Sequence, residues 1–246
     1  MEPTRLFLGT AGWSIPKESA PRFPGEGSHL ERYARRLQAV EIDSSFYRPH
    51  QPATYARWAA AAPEGFRFAV KVPRQVTHVS RLRDAALLDR FADETAALGT
   101  KLGPWLLQLP PGLRFDPPSV GRFLERLRSR FSAQVTCEPR HTSWFTPEAG
   151  QLLAAFQVAR LAADPAICPQ ATRPGGWDGL VYYRLHGSPE MYRSSYAGKF
   201  LEEMAGLLST AAASAPVWCI FNNTAAGAAI ENALALQERL YPSLAG

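Results

Sequence analysis

The sequence predicts a single α/β domain, residues 1–246, folded as a closed (β/α)₈ barrel of the TIM type. Eight short apolar segments with the character of strands recur along the 246 residues, and most are separated by a helical pattern. Nearly every segment ends in a polar or charged residue. Apolar runs of this kind are typical of parallel strands that are covered on both faces. An open doubly wound sheet is the alternative, but the GTAGWS stretch at residues 9–14 does not match the glycine fingerprint of that fold.

The predicted strands are short, and a proline or glycine follows most of them, which marks the exit from the strand. Their spacing of roughly 20 to 40 residues leaves room for a crossover helix between neighbouring parallel strands. In chain order the predicted strands cover residues 6–8, 39–43, 66–73, 105–109, 133–138, 158–164, 181–186 and 217–221.

Helical periodicity fills most of the segments between the strands. Ser28, Asp116 and Thr146 stand where side-chain N-caps are expected. Residues 165–179 carry proline, glycine and threonine without a helical period, so we expect an irregular crossover between the sixth and seventh strands. The predicted helices cover residues 29–38, 52–62, 84–98, 117–130, 147–156, 199–213 and 225–240.

The composition is that of an ordinary globular protein, with 46% hydrophobic and 20% charged residues. The formal net charge is +5, and most of the basic residues are arginines. A mildly basic surface is compatible with binding to nucleic acid or to a phosphorylated ligand. A coding bias toward arginine produces the same skew, so the charge alone does not choose a partner.

The three cysteines, Cys137, Cys168 and Cys219, are far apart and form no CxxC pair. This spacing argues against a disulfide framework and against a zinc knuckle, and it fits a reducing compartment. The N-terminus lacks the apolar core of a signal peptide, and no apolar run approaches the roughly 18 residues that a membrane span needs. We therefore expect a cytoplasmic protein that does not contact a membrane.

The candidate functional residues follow from the barrel, because such barrels carry their sites at the C-terminal ends of the strands. The seventh predicted strand gives the clearest signal, since alternation places Arg184 and His186 on one face. The strand exits give four candidate catalytic residues, Glu138, Asp164, His186 and Lys71. The candidate substrate-binding residues are Trp13, Glu41, Asp43, Tyr47, Gln108, Arg140, Arg184, Tyr196, Asn222 and Asn223.

The order of short motifs along the chain resembles a known family. GTAGWS, EIDSSFY, FAVKVP, QLPP, EPRHTSWF, ADP, YYRLHG and FNN follow one another between about Leu6 and Leu240. Together they resemble the YecE-like family, the domain of unknown function numbered 72 (DUF72). The resemblance implies a TIM-barrel-like fold and a mouth lined by acids, arginine and asparagine, but no established reaction. The chain departs from the family pattern at Asp43, where asparagine is usual, at Pro139 and Thr142, and at Thr224, where aspartate is usual.

Each charged candidate also has a structural interpretation. Glu138 is either a general acid or base or a structural carboxylate paired with Arg140 or Arg184. Asp164 is either a second carboxylate of the site or a cap for the loop that follows it. Lys71 is costly to bury alone, so it is either catalytic or paired in a salt bridge with Glu41 or Asp43. His186 suits proton transfer because imidazole titrates near neutrality.

The amide and aromatic candidates have the same ambiguity. Asn222 and Asn223 can orient a ligand by donating and accepting hydrogen bonds, or they can hold their own loop. His78 and His141 lie in loops, where they either bind an anion or are solvated. Five aromatic residues could stack on a base or sugar or simply pack the rim, namely Trp13, Phe46, Tyr47, Trp144 and Tyr196.

Two functions are compatible with these residues. The first is a hydrolase-like enzyme in which Glu138, Asp164 and His186 perform acid–base chemistry on a phosphate ester or a glycosidic linkage. In that enzyme Lys71 and Arg184 bind an anionic group of the substrate. The second is a nucleic-acid or nucleotide binder without chemistry, whose affinity falls steeply with added salt.

No cofactor is predicted, and no specific protein partner is indicated. Acids and a histidine at strand exits could ligate a divalent metal ion, which stays open as an alternative. The five histidines show no HxH or HxxxH spacing, so the pattern does not indicate a multinuclear metal site.

Overall fold

Ten strands form one sheet in the computed structural model, which describes residues 6–84 and 86–242. Their order in the sheet is β7-β9-β10-β1-β2-β3-β4-β5-β6-β8. The strands are β1 (Leu6–Ala11), β2 (Ala39–Ile42), β3 (Arg67–Lys71), β4 (Leu102–Gln108), β5 (Val135–Glu138), β6 (Val158–Arg160), β7 (Ala162–Asp164), β8 (Gly175–Gly176), β9 (Val181–Leu185) and β10 (Val217–Phe221).

The sixth predicted strand closes the barrel. It is interrupted at Leu161, so that it forms the two short strands β6 and β7. β6 pairs in parallel with β5, and β7 pairs in parallel with β9. Because one continuous segment bonds to both edges of the sheet, eight parallel strand segments surround a common interior, and the predicted (β/α)₈ barrel is confirmed.

Helices cover the outside of the barrel. They are α1 (His29–Ala34), α2 (Pro52–Ala61), α3 (Ala86–Thr95), α4 (Pro117–Arg130), α5 (Pro147–Ala155), α6 (Gly198–Ala212) and α7 (Ala228–Leu240). Ser28, Asp116 and Thr146 each accept a hydrogen bond from a backbone N–H of the first turn, as predicted for N-caps. The crossover between the sixth and seventh barrel strands contains a short 3₁₀ turn and the two-residue strand β8, which confirms its irregularity.

The helix expected at residues 29–38 ends at Ala34. Two further helix boundaries differ from the sequence prediction for a backbone reason. The helix expected at residues 84–98 ends at Thr95 and continues as a 3₁₀ segment that contains Gly99 at φ 57°. The helix expected from residue 225 begins at Ala228, because Gly227 adopts φ 77° and holds the preceding turn outside the helix. Positive φ values are accessible to glycine at little cost, so these glycines set the boundaries.

The inward-facing side chains change from apolar to charged along the barrel axis. Toward the N-terminal ends of the strands the interior holds apolar residues such as Leu106, Tyr182 and Trp218, with the Tyr182 and Trp218 rings stacked 6.0 Å apart. Arg184 lies two residues after Tyr182 in β9 and therefore on the same face of the strand. The period of two along each strand thus places the polar groups in the C-terminal half of the interior.

No helix within residues 6–84 and 86–242 is long and apolar enough to cross a membrane.

Candidate functional site

Arg184 is the centre of a buried group of charges inside the C-terminal end of the barrel. Its Nη2 donates to Glu41 Oε1 at 2.6 Å and to Asp43 Oδ1 at 3.1 Å. Its Nη1 donates to Glu138 Oε2 at 3.1 Å. Burial alone would lower the pKa of Arg184, but the three carboxylates hold it well above the usual range. One guanidinium therefore ties together carboxylates from β2, from the segment after β2, and from β5.

The pair formed by Arg184 and Glu41 is fully buried, with no exposed side-chain surface on either residue. Arg184 Nε also donates to Glu41 Oε1 and Oε2, at 3.1 and 3.2 Å, so the guanidinium meets the carboxylate with two nitrogens. Tyr182 Oη donates to Glu41 Oε2 at 2.8 Å. Burial and the neighbouring Glu41 charge together raise the pKa of Tyr182 well above its usual range. Glu41 is thus a structural carboxylate that holds Arg184 in place.

Glu138 is buried and accepts hydrogen bonds on both of its oxygens. Oε2 accepts from Arg184 Nη1 and from Gln108 Nε2, the latter at 3.0 Å. Oε1 lies 2.5 Å from Arg140 Nη2 and 2.9 Å from His186 Nε2. Burial alone would raise the pKa of Glu138, but His186, Arg184 and Arg140 outweigh burial and hold it well below the usual range. The carboxylate is therefore ionised at neutral pH.

His186 is fully buried, and both of its ring nitrogens are engaged. Nδ1 lies 3.0 Å from Asn222 Nδ2, and Nε2 faces Glu138 Oε1. Burial lowers the pKa of His186; Glu138 opposes this effect, and Arg184 and Arg140 add to it. With the Asn222 amide donating, Nδ1 accepts and the ring proton resides on Nε2, where Glu138 accepts it. The Tyr192 ring lies nearly perpendicular to the imidazole, with the ring centres 5.7 Å apart.

Arg140 forms the solvent side of this arrangement. Its side chain is 16% exposed, whereas Glu138, Arg184 and His186 are almost completely buried. Arg140 Nη2 contacts Glu138 Oε1 and lies 3.1 Å from His186 Nε2. Its Nε is buried and has no hydrogen-bond partner among the described residues. A guanidinium with one buried, unsatisfied donor at the surface of a site is suited to receiving an anion.

Lys71 lies beside the carboxylate shared with Arg184. Its Nζ donates to Asp43 Oδ1 at 2.9 Å and lies 4.1 Å from the centre of the Phe46 ring. The lysine side chain is 6% exposed and the aspartate side chain 30% exposed. The structure thus contains the ion pair between Lys71 and Asp43 that the structural interpretation of Lys71 required. Asp43 is the more exposed partner and connects the pair to solvent.

Further basic side chains flank Lys71 on the rim. Burial lowers the pKa of His78, and Lys71, Arg74 and Arg140 lower it further. Arg74 is exposed, and His78 Nδ1 lies 2.9 Å from Thr77 Oγ1. We call Lys71, Arg74, His78 and Arg140 the basic rim. Sequence reasoning left Arg74 out and treated His78 as a loop residue. In the structure Arg74 directly precedes, and His78 belongs to, a π-helical segment at Gln75–Val79 that follows β3.

Nine of the predicted site residues meet in one network of hydrogen bonds and ion pairs around Arg184. We call this set the Arg184 network; its members are Glu41, Asp43, Lys71, Gln108, Glu138, Arg140, Arg184, His186 and Asn222. It contains three carboxylates, two arginines and a lysine, so with a neutral His186 its formal charges cancel.

The side chains of five predicted site residues stand apart from this network. Asp164 Oδ1 accepts from Tyr196 Oη at 2.9 Å, and Gly187 N donates to the same hydroxyl at 2.8 Å, so these two side chains hold the segment after β9. Asn223 Nδ2 donates to Ser194 O and to Asn232 Oδ1, which fixes the same segment. The remaining two, Trp13 and Tyr47, pack against other aromatic rings, and Tyr47 is 71% exposed.

In the ranges 6–84 and 86–242 no group of three or more His, Cys, Asp or Glu side chains is arranged to hold a metal ion.

The fold and the network define a class of protein, a (β/α)₈ barrel with a charged site at the C-terminal ends of its strands. The model of the family described as protein of unknown function DUF72 matches residues 7–245. The chain therefore belongs to the DUF72 family, as its motifs predicted.

Two curated relatives carry the names of that family. The chain is 31% identical over 144 residues to the UPF0759 protein YecE of Escherichia coli K12, a match that covers 57% of this chain and 50% of the relative. It is 26% identical over 153 residues to the UPF0759 protein YunF of Bacillus subtilis 168, covering 58% of this chain and 53% of the relative. The chain thus spans about half the length of the curated relatives it matches.

Solved structures of the same family share the fold. A DUF72 family protein of Enterococcus faecalis V583 superposes with a TM-score of 0.80 at 24% identity, covering 96% of this chain and 95% of its own. A DUF72 family protein of Thermotoga maritima MSB8 gives 0.79 at 22% identity, covering 96% and 99%. At these identities the likeness supports the barrel and not a reaction.

Proposed function

We propose that this protein is an enzyme that hydrolyses a phosphate ester at the mouth of the barrel. Glu138 acts as the general base, and Arg140 and Lys71 bind the phosphoryl group. One observation carries the proposal, and it concerns Arg140. This residue is more exposed than Arg184 and His186, the other two basic partners of Glu138. Its Nη2 contacts the carboxylate, while its Nε has no hydrogen-bond partner among the described residues.

Substrate binding and activation of the base are coupled through Arg140. A phosphoryl group competes with the carboxylate for Arg140, because the guanidinium fork binds both kinds of anion in the same planar way. When Arg140 pairs with the substrate, Glu138 Oε1 loses one of its two donors and becomes open to a water molecule. The loss of a positive neighbour also raises the proton affinity of Glu138, which makes it a stronger base.

The reaction then follows the ordinary course of phosphoryl transfer to water. The water oxygen forms a bond to phosphorus while the bond from phosphorus to the ester oxygen breaks. Glu138 takes one proton from the water, and the Lys71 ammonium gives one to the departing oxygen. The products are an alcohol and inorganic phosphate, and exchange with solvent moves the proton from Glu138 back to Lys71.

The remaining members of the Arg184 network keep Glu138 in position. Arg184 and Gln108 hold Oε2, and His186 holds Oε1 from the interior. His186 acts as a positioning residue in this scheme, since Asn222 and Glu138 engage its two ring nitrogens. This role differs from the proton transfer that its residue type alone predicted.

Hydrolysis of a glycosidic bond is less well supported by the same geometry. That chemistry needs a protonated carboxyl group to assist departure of the sugar, with a second carboxylate facing it. Glu138 has a pKa held well below the usual range, and Asp43 is paired with Lys71 and Arg184. Asp164, the last residue of β7, accepts a hydrogen bond from Tyr196 of the segment after β9.

A second candidate function is phosphate-backbone binding without chemistry. The basic rim supports it, because the three cations around His78, namely Lys71, Arg74 and Arg140, suit any chain of phosphates. This alternative expects a single-stranded oligonucleotide to bind with a steep salt dependence and no phosphate ester to be turned over.

The proposal is tested with p-nitrophenyl phosphate and bis(p-nitrophenyl) phosphate as substrates for the wild type and for Glu138→Gln. We expect Glu138→Gln to lower kcat by about 100-fold or more while the Kd for inorganic phosphate changes by less than about tenfold. Glu202→Gln, at an exposed carboxylate of α6, is the matched control and keeps wild-type turnover. Equal turnover by Glu138→Gln, or turnover of neither ester by the wild type, contradicts the proposal.

A further inference from the structure

A cavity of about 160 Å³ lies beside the Arg184 network, bounded by the exits of β2 and β3 and by α3. We call it the side pocket. Most of its wall is apolar and much of that is aromatic, formed by Phe46, Tyr47, Pro73, Leu87 and Phe91. Substrate pockets for whole drug-sized ligands are larger, about 300 Å³ or more, so this volume fits one planar fragment of a ligand.

Phe46 joins the side pocket to the charged site. The ring lines the pocket, and Lys71 Nζ lies 4.1 Å from its centre. The His78 ring also packs against Phe46 in a nearly perpendicular arrangement, with the ring centres 4.9 Å apart. Phe46 is thus the single side chain between Lys71, one of the proposed phosphoryl-binding groups, and the side pocket.

One carboxylate gives the side pocket a polar recognition group. Glu94 lines the pocket and is 6% exposed. Its Oε1 accepts from Arg90 Nε at 2.8 Å, and the Arg90 side chain is 64% exposed at the rim. An ionised carboxylate accepts about four hydrogen bonds, so the pair with Arg90 leaves acceptor capacity for a ligand.

We infer that the side pocket binds the guanine base of a guanine nucleotide, an inference that rests on the proposed phosphate-ester function and names its substrate class. Aromatic walls favour a flat ring system by stacking. Guanine carries two adjacent N–H donor groups on one edge, which match a carboxylate. Adenine places a nitrogen acceptor at the corresponding position, where it meets the negative charge of Glu94.

Calorimetric titrations test the inference with three probes: GMP, AMP and inorganic phosphate. They are made in the Glu138→Gln background, so that bound ester is not consumed. We expect the affinity for GMP to be about tenfold or more higher than the affinities for AMP and phosphate. We expect Tyr47→Ala to lower the affinity for GMP by about tenfold and to leave the affinity for phosphate unchanged. Glu94→Gln removes the preference for GMP over AMP. Leu207→Ala, at an exposed leucine of α6, is the control for Tyr47→Ala and changes none of the three affinities.

The outcomes separate the two proposals. Phosphate binding with equal affinities for GMP and AMP overturns the guanine pocket and leaves the phosphate-ester proposal intact. If GMP binds, Tyr47→Ala weakens that binding and phosphate does not bind measurably, the result supports the side pocket and contradicts the anion site at Arg140. Binding of neither GMP nor phosphate overturns both. Because Tyr47 is 71% exposed, its truncation gives a readout that does not depend on how well Glu94→Gln folds.

Discussion

Arg140 Nη2 lies 2.5 Å from Glu138 Oε1, so a partly exposed guanidinium covers a fully buried carboxylate at the mouth of the barrel. The relationship matters because the two residues differ in how easily they can move. Gln108, Arg184 and His186 also hold the Glu138 carboxylate in place. Arg140, by contrast, can turn toward solvent and bind an anion there. Without a bound anion, Arg140 therefore forms an ion pair with Glu138 and shields the proposed general base from solvent.

Replacing Arg140 removes the proposed contact with the phosphoryl group. We expect Arg140→Gln to weaken inorganic phosphate binding by about 1.5–3 kcal/mol, the usual contribution of a hydrogen bond to a charged group. Arg140→Lys recovers only part of this loss, because a lysine lacks the planar fork. Isothermal titration measures both, with Arg173→Gln at an exposed arginine as the matched control. Unchanged phosphate binding by Arg140→Gln would contradict the assignment.

The buried charges of the Arg184 network make a prediction about stability. Arg184→Met leaves Glu41 and Glu138 buried without their shared cation, so we expect a loss of about 3–5 kcal/mol in the free energy of unfolding. Adding Glu41→Gln to that variant restores part of the loss, since one uncompensated charge is removed. Urea unfolding measures the three proteins.

A matched control exists on the surface. Arg130 pairs with Asp89 at 3.1 Å, with side chains that are 42% and 30% exposed. We expect Arg130→Met to cost less than about 1 kcal/mol, because exposed ion pairs contribute little. Similar losses for the buried and exposed arginines would show that the network does not stabilise the barrel.

The lowered pKa of His186 predicts how stability depends on pH. An unperturbed histidine has a pKa of 6.5, so below that value the unfolded chain takes up a proton that folded His186 does not. The unfolded state then binds more protons, and the free energy of unfolding falls as the pH decreases from 7 to about 5. His50 and His78, whose pKa values burial also lowers, act in the same direction.

Glu138 adds to the loss at lower pH. Its folded pKa lies well below the ordinary 4.5, so its contribution is complete above 4.5 and is lost as the pH falls from there through the folded pKa. Denaturant unfolding at several pH values measures both effects. His186→Gln should give a smaller slope between about pH 5 and 7 than the wild type. An identical slope would exclude His186 as one of the responsible groups.

Close packing between β1 and β2 makes a prediction independent of the site. A Cβ added at Gly9 would lie 2.0 Å from the carbonyl oxygen of Ala39, a backbone atom in the neighbouring strand. Gly9→Ala therefore forces the two strands apart, and we expect a loss of about 1–3 kcal/mol, as for overpacked cores. At Gly121, in α4, nothing lies within 4 Å, so Gly121→Ala should stabilise by about 0.5–1 kcal/mol. Thermal unfolding compares the two, and equal effects would contradict the packing.

Much of the barrel could be predicted because the end of most strands is marked in the sequence by a polar or charged residue after an apolar run. Lys71, Glu138 and Arg184 close apolar runs, and parallel topology alone brings such residues together. The break at Leu161 could not be predicted, because it depends on how one segment satisfies both edges of the sheet. Asp164 shows a related limit: a strand exit places a side chain at the mouth but does not decide which neighbour it contacts.

Pairing and burial inside the site were less predictable than position. The sequence offered Arg140 or Arg184 as the structural partner of Glu138, and the structure pairs the carboxylate with both. The two arginines, from the loop after β5 and from β9, act with His186 to keep Glu138 ionised. Glu94 gave no signal at all, because it lies on the helix α3, which lines the side pocket, and not at a strand exit. Long-range charge pairing is set by the folded geometry, which local patterns do not encode.

The exchange of Arg140 between Glu138 and a bound anion is tested most directly by a crystal structure of the wild-type protein grown with inorganic phosphate. We predict a phosphate ion in contact with Arg140 and Lys71, the Arg140 Nη2 moved out of hydrogen-bond distance of Glu138 Oε1, and His186 and Arg184 unmoved. A mouth without phosphate, or a bound phosphate beside an intact Arg140–Glu138 pair, would contradict it.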